Sequence, residues 1–292
     1  MKILLVGGMG YIGSYLYPYL TNLGFSVDIC DHSKKTIIDL KVAYPFNYNA
    51  LTSKDLAKYR VILWFAGHSS VSESNIDPIG ALNNNMINLI DFLKKISSEE
   101  TLFIYASTAS LYTGVLGPTK ENARILPYEN AYDISKFSFD YLAQRFHKNL
   151  IGLRMGTLAG YSPNIRPELI FNSMTLNAII SNTINIANKD KLRSILFLSD
   201  LAEIIKIFLT AKKISPGFYN ASSYTFSIGE LGNKIARIFN ATLNFLPDSE
   251  TYSFSVDNEK IASLGFKVTL SFEDQVKKFV SDVQSNNYTK KL

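Results

Sequence analysis

The sequence predicts an α/β fold built on a doubly wound parallel sheet, with a smaller mixed C-terminal domain. Through the first half of the chain, short apolar runs alternate with stretches that have helical periodicity. The runs are continuously apolar, as in parallel strands that helices cover on both faces. The first run also leads directly into closely spaced glycines. Repeated strand–helix units of this kind join their strands by right-handed crossovers, so one twisted sheet is expected.

The expected elements follow from these runs. The predicted strands are Lys2–Val6, Ser26–Asp31, Val61–Ala66, Leu102–Ser107 and Ile151–Met155. The predicted helices are Tyr11–Leu23, Ala81–Ile96, Tyr132–His147, Pro167–Ile180, Asp200–Thr210 and Ile228–Phe239. The regular alternation stops after about Gly156, where prolines and short mixed segments begin.

Composition restricts the function classes. The chain has 292 residues, of which 47% are hydrophobic and 19% charged, as is ordinary for a globular protein. Its apolar runs are far shorter than the roughly 18–20 residues of a membrane span, and the stretch Ile3–Val6 is too short for a secretory signal. We therefore expect a cytoplasmic protein with no membrane partner. The net charge of +5 comes from scattered lysines rather than a basic stripe, so we expect no nucleic-acid partner.

The cysteine and histidine content predicts neither a disulfide nor a metal site. Cys30 is the single cysteine, which excludes an internal disulfide, and its apolar neighbours favour a buried thiol. His32, His68 and His147 are too dispersed to ligate a metal, and no other cluster has ligand spacing.

The first strand runs into Gly7-Gly8-Met9-Gly10-Tyr11-Ile12-Gly13, which opens the first helix. Glycines here allow a tight turn, a close approach to a pyrophosphate and close packing of helix on strand, while the N–H groups at the helix start point at the phosphates. Alone the turn would be weak evidence, but its place between a strand and a helix predicts a dinucleotide site in a Rossmann-type sheet. The cofactor-binding residues predicted from this loop are Gly7, Gly10, Tyr11, Ile12 and Gly13.

The residue that ends the second predicted strand indicates which dinucleotide binds. The Asp31 carboxylate can accept hydrogen bonds from ribose hydroxyls and would repel a 2′-phosphate, so NAD is favoured over NADP. Lys34 and Lys35 follow closely and leave NADP open. We therefore predict a dinucleotide-binding domain at residues 1–156, to which residues 193–212 return, and a substrate-binding domain at residues 157–292.

Tyr132 and Lys136 form a candidate proton-transfer pair. They are one helical turn apart and so share a helix face, where an ammonium would lower the pKa of a phenol and let it act as a base. With 17 tyrosines and 30 basic residues a chance surface pair is expected, and that alternative would be preferred without context. The preceding strand, however, ends in Ser107 and Thr108, which places hydroxyls at the carboxyl edge of the sheet, where ligands bind.

Together these segments resemble the extended short-chain dehydrogenase/reductase family, which contains NAD-dependent sugar-nucleotide epimerases and dehydratases. The resemblance covers nearly the whole chain. Ser107–Tyr112 is similar to the family segment Ser-Ser/Thr-x-x-Val-Tyr, and Pro118–Glu121 and Pro127–Lys136 are similar to the loop that leads into its Tyr-x-x-x-Lys helix. The resemblance implies that Thr108, Tyr132 and Lys136 are catalytic. It also implies that Tyr132 and Lys136 contact the cofactor, and that Thr108 and Tyr132 contact the substrate.

The segment Phe65–Ser74, with Asn85 eleven residues after it, resembles the UDP-hexose 4-epimerases in particular. That resemblance implies that Ala66 lines the nicotinamide side of the cofactor groove. It implies that Asn85 braces the cofactor or the tyrosine strand. The alternative for Asn85 is a helix cap within a run of three asparagines.

The downstream resemblance concerns the substrate. Leu153–Pro163 resembles the family segment Leu-Arg-x-x-Asn-x-x-Gly, and Asn172 falls where relatives contact the diphosphate of the substrate. Arg193 and Asp200 resemble an Arg-x-x-x-His-Val-x-Asp element whose arginine binds the same diphosphate, a task that suits the two-pronged guanidinium. The alternative is a surface salt bridge between Arg193 and Asp200.

Four departures from the family pattern affect specificity. Thr157 replaces an asparagine, Phe197 replaces a common histidine, and Ser69 stands where the 4-epimerases carry a lysine. Ala109-Ser110 replaces the Asp-Glu pair that 4,6-dehydratases use for water elimination, which argues against dehydration.

The sequence thus predicts an NAD-dependent enzyme that oxidises a hydroxyl, at C4 of the sugar, of a nucleotide-diphosphate sugar, and favours an epimerase. A nucleotide-sugar dehydrogenase or ketoreductase stays open. A non-catalytic dinucleotide sensor is disfavoured by the intact Thr108, Tyr132 and Lys136, and an RNA-binding relative by the lack of a basic stripe. Relatives commonly dimerise through two helices, for which residues 81–96 and 132–147 are the candidates, so we expect a homodimer.

Overall fold

The computed structural model of the protein describes residues 1–32, 42–125 and 130–288. Lys34 and Lys35, on which NADP binding was left open, and Pro127–Glu129 of the segment before Tyr132 lie outside the described residues.

The strands are short and follow one another along the chain with helices between most of them. They are β1 (Lys2–Val6), β2 (Ser26–Cys30), β3 (Val42–Tyr44), β4 (Val61–Trp64), β5 (Leu102–Thr108), β6 (Pro118–Thr119), β7 (Leu150–Met155), β8 (Thr157–Ala159), β9 (Thr183–Ile186), β10 (Leu192–Phe197), β11 (Gly217–Ala221), β12 (Tyr224–Ser227), β13 (Thr242–Phe245) and β14 (Ser255–Val256).

The helices vary from one turn to more than four. They are α1 (Tyr11–Asn22), α2 (Ser53–Leu56), α3 (Val71–Ile76), α4 (Pro78–Leu82), α5 (Asn88–Lys94), α6 (Ala131–Phe146), α7 (Ile170–Ser181), α8 (Leu198–Thr210), α9 (Ile228–Phe239), α10 (Glu259–Ala262) and α11 (Phe272–Ser285). Short 3-10 turns lie at Tyr48–Ala50 and Ala109–Tyr112, and a π-helical turn at Asn83–Ile87 joins α4 to α5. Among the described helices, none has the length and apolar character needed to span a bilayer.

Within the described residues, seven parallel strands form the central sheet in the order β11-β7-β5-β4-β1-β2-β3. Their continuous apolar character is explained by two cores, one on each face. Ile3 and Leu5 of β1 belong to the core under α1 and α8, whereas Leu4 and Val6 belong to the core under α5 and α6. The predicted doubly wound parallel sheet is confirmed.

The direction of winding reverses between β1 and β4, because the chain adds β2 and β3 on one side of β1 and the other strands on the opposite side. Val6 pairs with both Cys30 and Trp64, so the carboxyl ends of β1, β2 and β4 lie level. Ligands of such sheets bind in the crevice at this reversal. The fold therefore places the glycine loop after β1 and the Phe65–Gly67 loop after β4 side by side.

A second layer covers the carboxyl edge of the sheet. A small sheet in the order β12-β10-β8 and the pair β13-β9 pack with α7, α9 and α11 around a separate aromatic-rich core. Helix α8 instead packs beside α1, and β11 joins the central sheet as an edge strand. The division of the chain near residue 156 stays a prediction.

One expectation about elements needs correction, and two strands of the central sheet were missed. The helix predicted at Ala81–Ile96 is divided into α4, the π turn and α5. Strands β3 and β11 escaped sequence analysis, because their segments, VAY and GFYNA, are short and carry tyrosine, asparagine or glycine instead of a continuous apolar run.

Candidate active site

A cleft of about 600 Å³ lies at the carboxyl edge of the central sheet. The loops after β1, β4 and β5 form its floor, the first turns of α6 form one wall, and the segment between β8 and α7 forms the other. The predicted site residues that line it are Gly7, Gly10, Tyr11, Ile12, Asp31, Ala66, Thr108, Tyr132, Lys136 and Arg193. Gly13, Asn85 and Asn172 lie outside the lining.

The glycine loop has the geometry of a phosphate cradle. Gly7 has a φ of +83°, and a Cβ there would collide with the backbone of Phe65 and Ala66 across the sheet reversal. A Cβ on Gly13 would overlap the backbone of Gly7 and Gly8, so the helix can lie this close only with glycine. Helix α1 begins at Tyr11 with no side-chain cap, which leaves its first N–H groups for an anion. These residues fit a dinucleotide pyrophosphate.

Asp31 lies at the cleft end of β2, as the sequence predicts for a ribose-binding carboxylate. Its Oδ2 accepts a hydrogen bond from the Met9 N–H at 2.8 Å. This bond fixes the carboxylate against the glycine loop, where it can face a ribose next to the phosphates.

Lys136 reaches from α6 to the end of β5. Its Nζ donates to the Ala106 carbonyl at 3.0 Å and lies 5.9 Å from the centre of the Tyr132 ring. Burial lowers the pKa of the ammonium to about 8, partly opposed by the charge of Asp140. The group therefore carries most of its charge at neutral pH.

The expected lowering of the Tyr132 pKa by Lys136 is wrong for this structure. The pKa of the phenol is raised to about 12, chiefly by burial and also by the charge of Asp133. A hydrogen bond with Thr108 and the charge of Arg166 oppose this rise only in part. Burial thus favours the neutral form of the phenol, and the charge of Arg166 is too weak to reverse that preference.

Thr108 belongs to a chain of buried hydroxyls. Its Oγ1 lies 2.7 Å from Ser110 Oγ and accepts the Ser110 N–H at 3.2 Å. Ser110 Oγ donates in turn to Asp133 Oδ1 at 2.5 Å. Helix α6 is capped by Asn130, which fixes its first turn and so presents Tyr132 and Asp133 to this chain.

Asn85 lies in the π turn and is buried. Its Nδ2 donates to the His68 carbonyl at 3.1 Å and to Ser135 Oγ at 3.0 Å. The side chain thus ties the loop after β4 to helix α6, which carries Tyr132. This arrangement supports the bracing role and not a helix cap; contact with the cofactor stays a prediction.

Asn172 is fully buried and its amide is occupied by the protein. Nδ2 donates to the Tyr11 hydroxyl at 3.2 Å and to the Arg166 carbonyl at 2.9 Å, and Oδ1 accepts the Gly160 N–H at 2.9 Å. Contact with a substrate diphosphate would require these bonds to break. In this structure Asn172 shapes the cleft wall instead of facing it.

Arg193 lines the cleft at 7% exposure. It donates to the Leu192 carbonyl at 3.1 Å and to Thr251 Oγ1 at 2.6 Å, and its guanidinium lies near the Tyr252 and Phe254 rings. Burial lowers its pKa to about 10. Among the described residues it forms no ion pair. The alternative of a salt bridge to Asp200 is wrong, since that carboxylate binds Ser223 and Thr269 instead.

Three residues at or beside the cleft were not identified from the sequence as functional. Asp133 directly follows Tyr132, but only the observed helix start shows that it points inward to Ser110. Arg166 lines the cleft and donates to Ser69 Oγ at 3.2 Å, so a cation does stand beside the position where the 4-epimerases carry a lysine. Tyr252 comes from a segment with no distinctive sequence pattern.

A family model described as the NAD dependent epimerase/dehydratase family matches residues 3–222. The chain belongs to the NAD-dependent epimerase/dehydratase family. NAD is accordingly its cofactor, in agreement with the cradle, and the resemblance identified from the sequence motifs is confirmed.

Relatives within this family carry out different reactions. The chain is 28% identical over 179 residues to a UDP-glucose 4-epimerase of Halalkalibacterium halodurans, which covers 57% of this chain and 53% of that protein. It is 22% identical to a dTDP-D-glucose 4,6-dehydratase of Dictyostelium discoideum, over 98% of this chain and 82% of that protein. The alignment with the epimerase thus spans about half of that protein's length.

Among solved structures, MoeE5 in complex with UDP-glucose and NAD superimposes with a TM-score of 0.85. The match covers 98% of this chain and 100% of MoeE5 at 18% identity, which shows a common fold.

Proposed function

We propose that the protein is a nucleotide-sugar epimerase that oxidises a sugar hydroxyl, at C4, and then reduces the resulting ketone from the other face. The observation that carries this proposal is the meeting of Thr108, Tyr132, Lys136 and Arg193 with the glycine loop in one cleft. A non-catalytic dinucleotide sensor would have no use for the buried hydroxyls and the ammonium.

Each side chain has a distinct task in this proposal. Bound NAD supplies the acceptor for the hydride. Tyr132, ionised with the help of the charges of Lys136 and of the bound nicotinamide ring, removes the proton of the reacting hydroxyl and later returns it. Thr108 hydrogen-bonds and orients the same oxygen. Lys136, held by the Ala106 carbonyl, keeps a positive charge near the phenol and would contact the cofactor. Asp31, Ala66 and the glycine loop hold the dinucleotide.

Arg193 is proposed to bind the substrate diphosphate. A buried guanidinium with no carboxylate partner among the described residues is costly, and a diphosphate would supply the missing charge and hydrogen-bond acceptors. The guanidinium lies beside the rings of Tyr252 and Phe254, which carry no charge, so an anionic ligand is the partner we propose.

Epimerisation is favoured over dehydration by the turn after β5. Ala109 has no acidic group, and Ser110 is a hydroxyl that is already bonded to Thr108 and Asp133. A 4,6-dehydratase is nevertheless the second candidate, because a relative with that activity aligns with nearly the whole chain and Asp133 brings a carboxylate within 2.5 Å of Ser110. Net oxidation or reduction is the third.

The deciding experiment is incubation of the protein and NAD with UDP-, dTDP-, GDP- and CDP-sugars, followed by NMR of the products. A C4 epimer with no accumulation of NADH supports the proposal. A 4-keto-6-deoxy product would replace it with dehydration, and stoichiometric NADH would replace it with a dehydrogenase. If protein that has been shown to bind NAD converts none of these nucleotide sugars, the proposal is rejected.

A further inference from the structure

Tyr252 brings a phenol into the cleft that the proposed function leaves without a task. It lines the cleft from the segment before β14 and is half-buried, with its ring packed against the cluster of Ala109, Tyr112, Phe254 and Val256. Its hydroxyl forms no hydrogen bond with any residue that the structure describes. Because a half-buried hydroxyl has given up part of its hydration, a ligand in the cleft is the partner that can satisfy it.

Two sets of contacts locate this phenol within the cleft. The guanidinium carbon of Arg193 lies 5.9 Å from the centre of the Tyr252 ring. The cluster against which the ring packs includes Ala109, which directly follows Thr108 at the end of β5. The phenol is thus close both to the guanidinium and to the turn that begins at Thr108.

The backbone on both sides of Tyr252 is fixed to β10. Phe254 forms a parallel bridge with Arg193, and Thr251 Oγ1 accepts a hydrogen bond from the same guanidinium at 2.6 Å. Tyr252 and Phe254, two residues apart, both present their rings to the guanidinium, as expected along an extended chain. The position of the phenol is therefore determined before any ligand binds.

The charges around Tyr252 agree with this location. Burial raises the pKa of its phenol well above the ordinary range, Asp133 and Tyr132 raise it further, and Arg193 opposes them. The hydroxyl consequently keeps its proton at neutral pH, so it can both donate and accept a hydrogen bond. A sugar hydroxyl has the same two capacities and is a matching partner.

A nucleotide sugar bound as proposed must pass this phenol. Its diphosphate, which is attached to C1, would lie at Arg193, and its C4 would lie at Thr108 and Tyr132. One edge of the ring between C1 and C4 carries the C2 and C3 hydroxyls, whereas the other edge consists of C5 and the ring oxygen. A donor and acceptor placed near both ends of the sugar finds its matching groups on the edge that carries C2 and C3.

We propose that Tyr252 is a specificity-determining residue whose hydroxyl binds the C2 or C3 hydroxyl of the sugar. The inference rests on the proposed function, which places the diphosphate and C4. Nucleotide sugars that lack the bound hydroxyl should bind more weakly, because the phenol is then left without a partner.

The substitution Tyr252→Phe tests this, because it removes only the hydroxyl and keeps the ring beside Arg193. Affinity is measured by calorimetry on NAD-loaded protein in a Tyr132→Phe background, so that the sugar is not converted during the titration. The probe is the nucleotide sugar that the product screen identifies, or UDP-glucose if it identifies none. Its Kd should rise roughly three- to tenfold, the range for one net hydrogen bond, while the Kd of the nucleoside diphosphate alone changes less than about twofold.

Deoxy analogues of the same sugar supply the second measurement. In protein that keeps Tyr252, either the 2-deoxy or the 3-deoxy analogue should bind roughly three- to tenfold more weakly than the parent sugar. In Tyr252→Phe this difference should disappear, because no hydroxyl is left to pair.

Tyr15→Phe is the matched control. Tyr15 on α1 is also half-buried, and its hydroxyl too forms no hydrogen bond within the described part of the chain. It lies outside the lining of the cleft, so its substitution should change none of these Kd values.

Three results would overturn the inference. The first is an equal loss of affinity in Tyr252→Phe for the nucleotide sugar and for the nucleoside diphosphate, which would make Tyr252 a structural neighbour of Arg193. The second is a deoxy penalty of the same size in Tyr252→Phe. The third is no penalty with either analogue in protein that keeps Tyr252, a result that does not depend on the folding of the variant.

The same measurements separate this inference from the proposed function. If the expected affinities are found although the wild type converts no nucleotide sugar, the inference stands and the proposed function falls. If the wild type epimerises a sugar but Tyr252→Phe binds it as tightly, the reverse holds. Failure of every nucleotide sugar in the screen to bind rejects both.

Discussion

Tyr132 and Lys136 show how burial can reverse an expectation based on spacing. A separation of one helical turn predicts an ammonium that acidifies a phenol, but the two groups also share a cleft that penalises both charges. The pKa of Tyr132 rises to about 12 and that of Lys136 falls to about 8. Sequence spacing gives proximity; it does not give the degree of desolvation, which decides the sign here.

Tyr132→Phe removes the proposed proton carrier without changing the shape of the cleft. Turnover should fall at least about a hundredfold, the lower range for general acid–base catalysis, while KM stays within a small factor. Steady-state kinetics on the sugar identified by the product screen measure this. Tyr141→Phe is the control, because Tyr141 is on the same helix and lies outside the lining of the cleft. Turnover close to wild type in Tyr132→Phe would eliminate Tyr132 as the proton carrier.

Lys136 makes a prediction about stability and pH. Its pKa is lower in the folded protein than the ordinary 10.5, so the folded protein binds fewer protons than the unfolded chain between about pH 8 and 10.5. The free energy of unfolding must therefore rise with pH in that window. Below about pH 8, the full cost of burying the charged ammonium lowers the stability of the folded protein. Compared with Lys136→Met, the wild type should gain about 2 kcal/mol in unfolding free energy between about pH 7 and 9.5. Urea denaturation at several pH values measures this. An equal change with pH in the unfolding free energy of the two proteins would contradict the prediction.

Arg193 is expected to contribute to substrate binding and not to the stability of the fold. Arg193→Met removes a buried cation that has no carboxylate partner among the described residues, so the free energy of unfolding should stay the same or increase. The KM for the nucleotide sugar should rise at least about tenfold, because charged hydrogen bonds contribute roughly 1.5–3 kcal/mol. Thermal unfolding and steady-state kinetics test the two halves. A strong loss of stability with unchanged KM would make Arg193 a structural residue only.

At the scale of elements, continuous apolar runs were sufficient to locate five strands of the sheet, and β1 and α9 have the predicted bounds. The same rule failed for β3 and β11, since edge strands need few apolar residues to pair. It also missed the π turn at Asn83–Ile87, in which Asn85 bonds to His68 and Ser135. Helical periodicity carries no information about such a local widening.

The glycines of two helices can be compared directly. Gly13→Ala should destabilise the protein by about 1–3 kcal/mol and weaken NAD binding, because the new Cβ would overlap the backbone of Gly7 and Gly8. Gly232→Ala in α9 would press only on the flexible end of the Ile186 side chain, and alanine favours the helix by about 1 kcal/mol. It should change stability little. Chemical denaturation of both variants tests the difference, and equal losses would refute the packing argument.

At the scale of the whole molecule, the order of strands and the position of the cleft follow from rules of parallel α/β sheets. The residues that face the cleft were predicted only where the sequence carries a recognisable motif. Asp133 and Arg166 depend on contacts between segments distant in the chain, or on the start of a helix, and no local pattern encodes them. The closing layer from β8 onward was expected only as a mixed region.

The helices α4 and α6 suggest how two copies associate. They pack against each other and carry exposed apolar side chains, among them Ile79 at 71% and Tyr141 at 66% exposure. We propose a homodimer through this surface, so sedimentation should give about twice the chain mass of 32.7 kDa. Replacing both side chains, as Ile79→Glu with Tyr141→Arg, should yield a monomer, whereas Ile180→Glu on α7 should not. A monomeric wild type would refute the dimer.

The Tyr11 hydroxyl donates to the Gly160 carbonyl at 2.6 Å, and Asn164 Nδ2 donates to the Met9 carbonyl at 3.1 Å. The glycine loop and the cleft wall between β8 and α7 are thus joined to each other by two hydrogen bonds. Binding of NAD should consequently reduce the motion of residues 160–172, even where NAD does not contact them. Amide hydrogen exchange in residues 160–172 should therefore slow when NAD alone is added. The substrate would then bind against a cleft wall that NAD has already ordered.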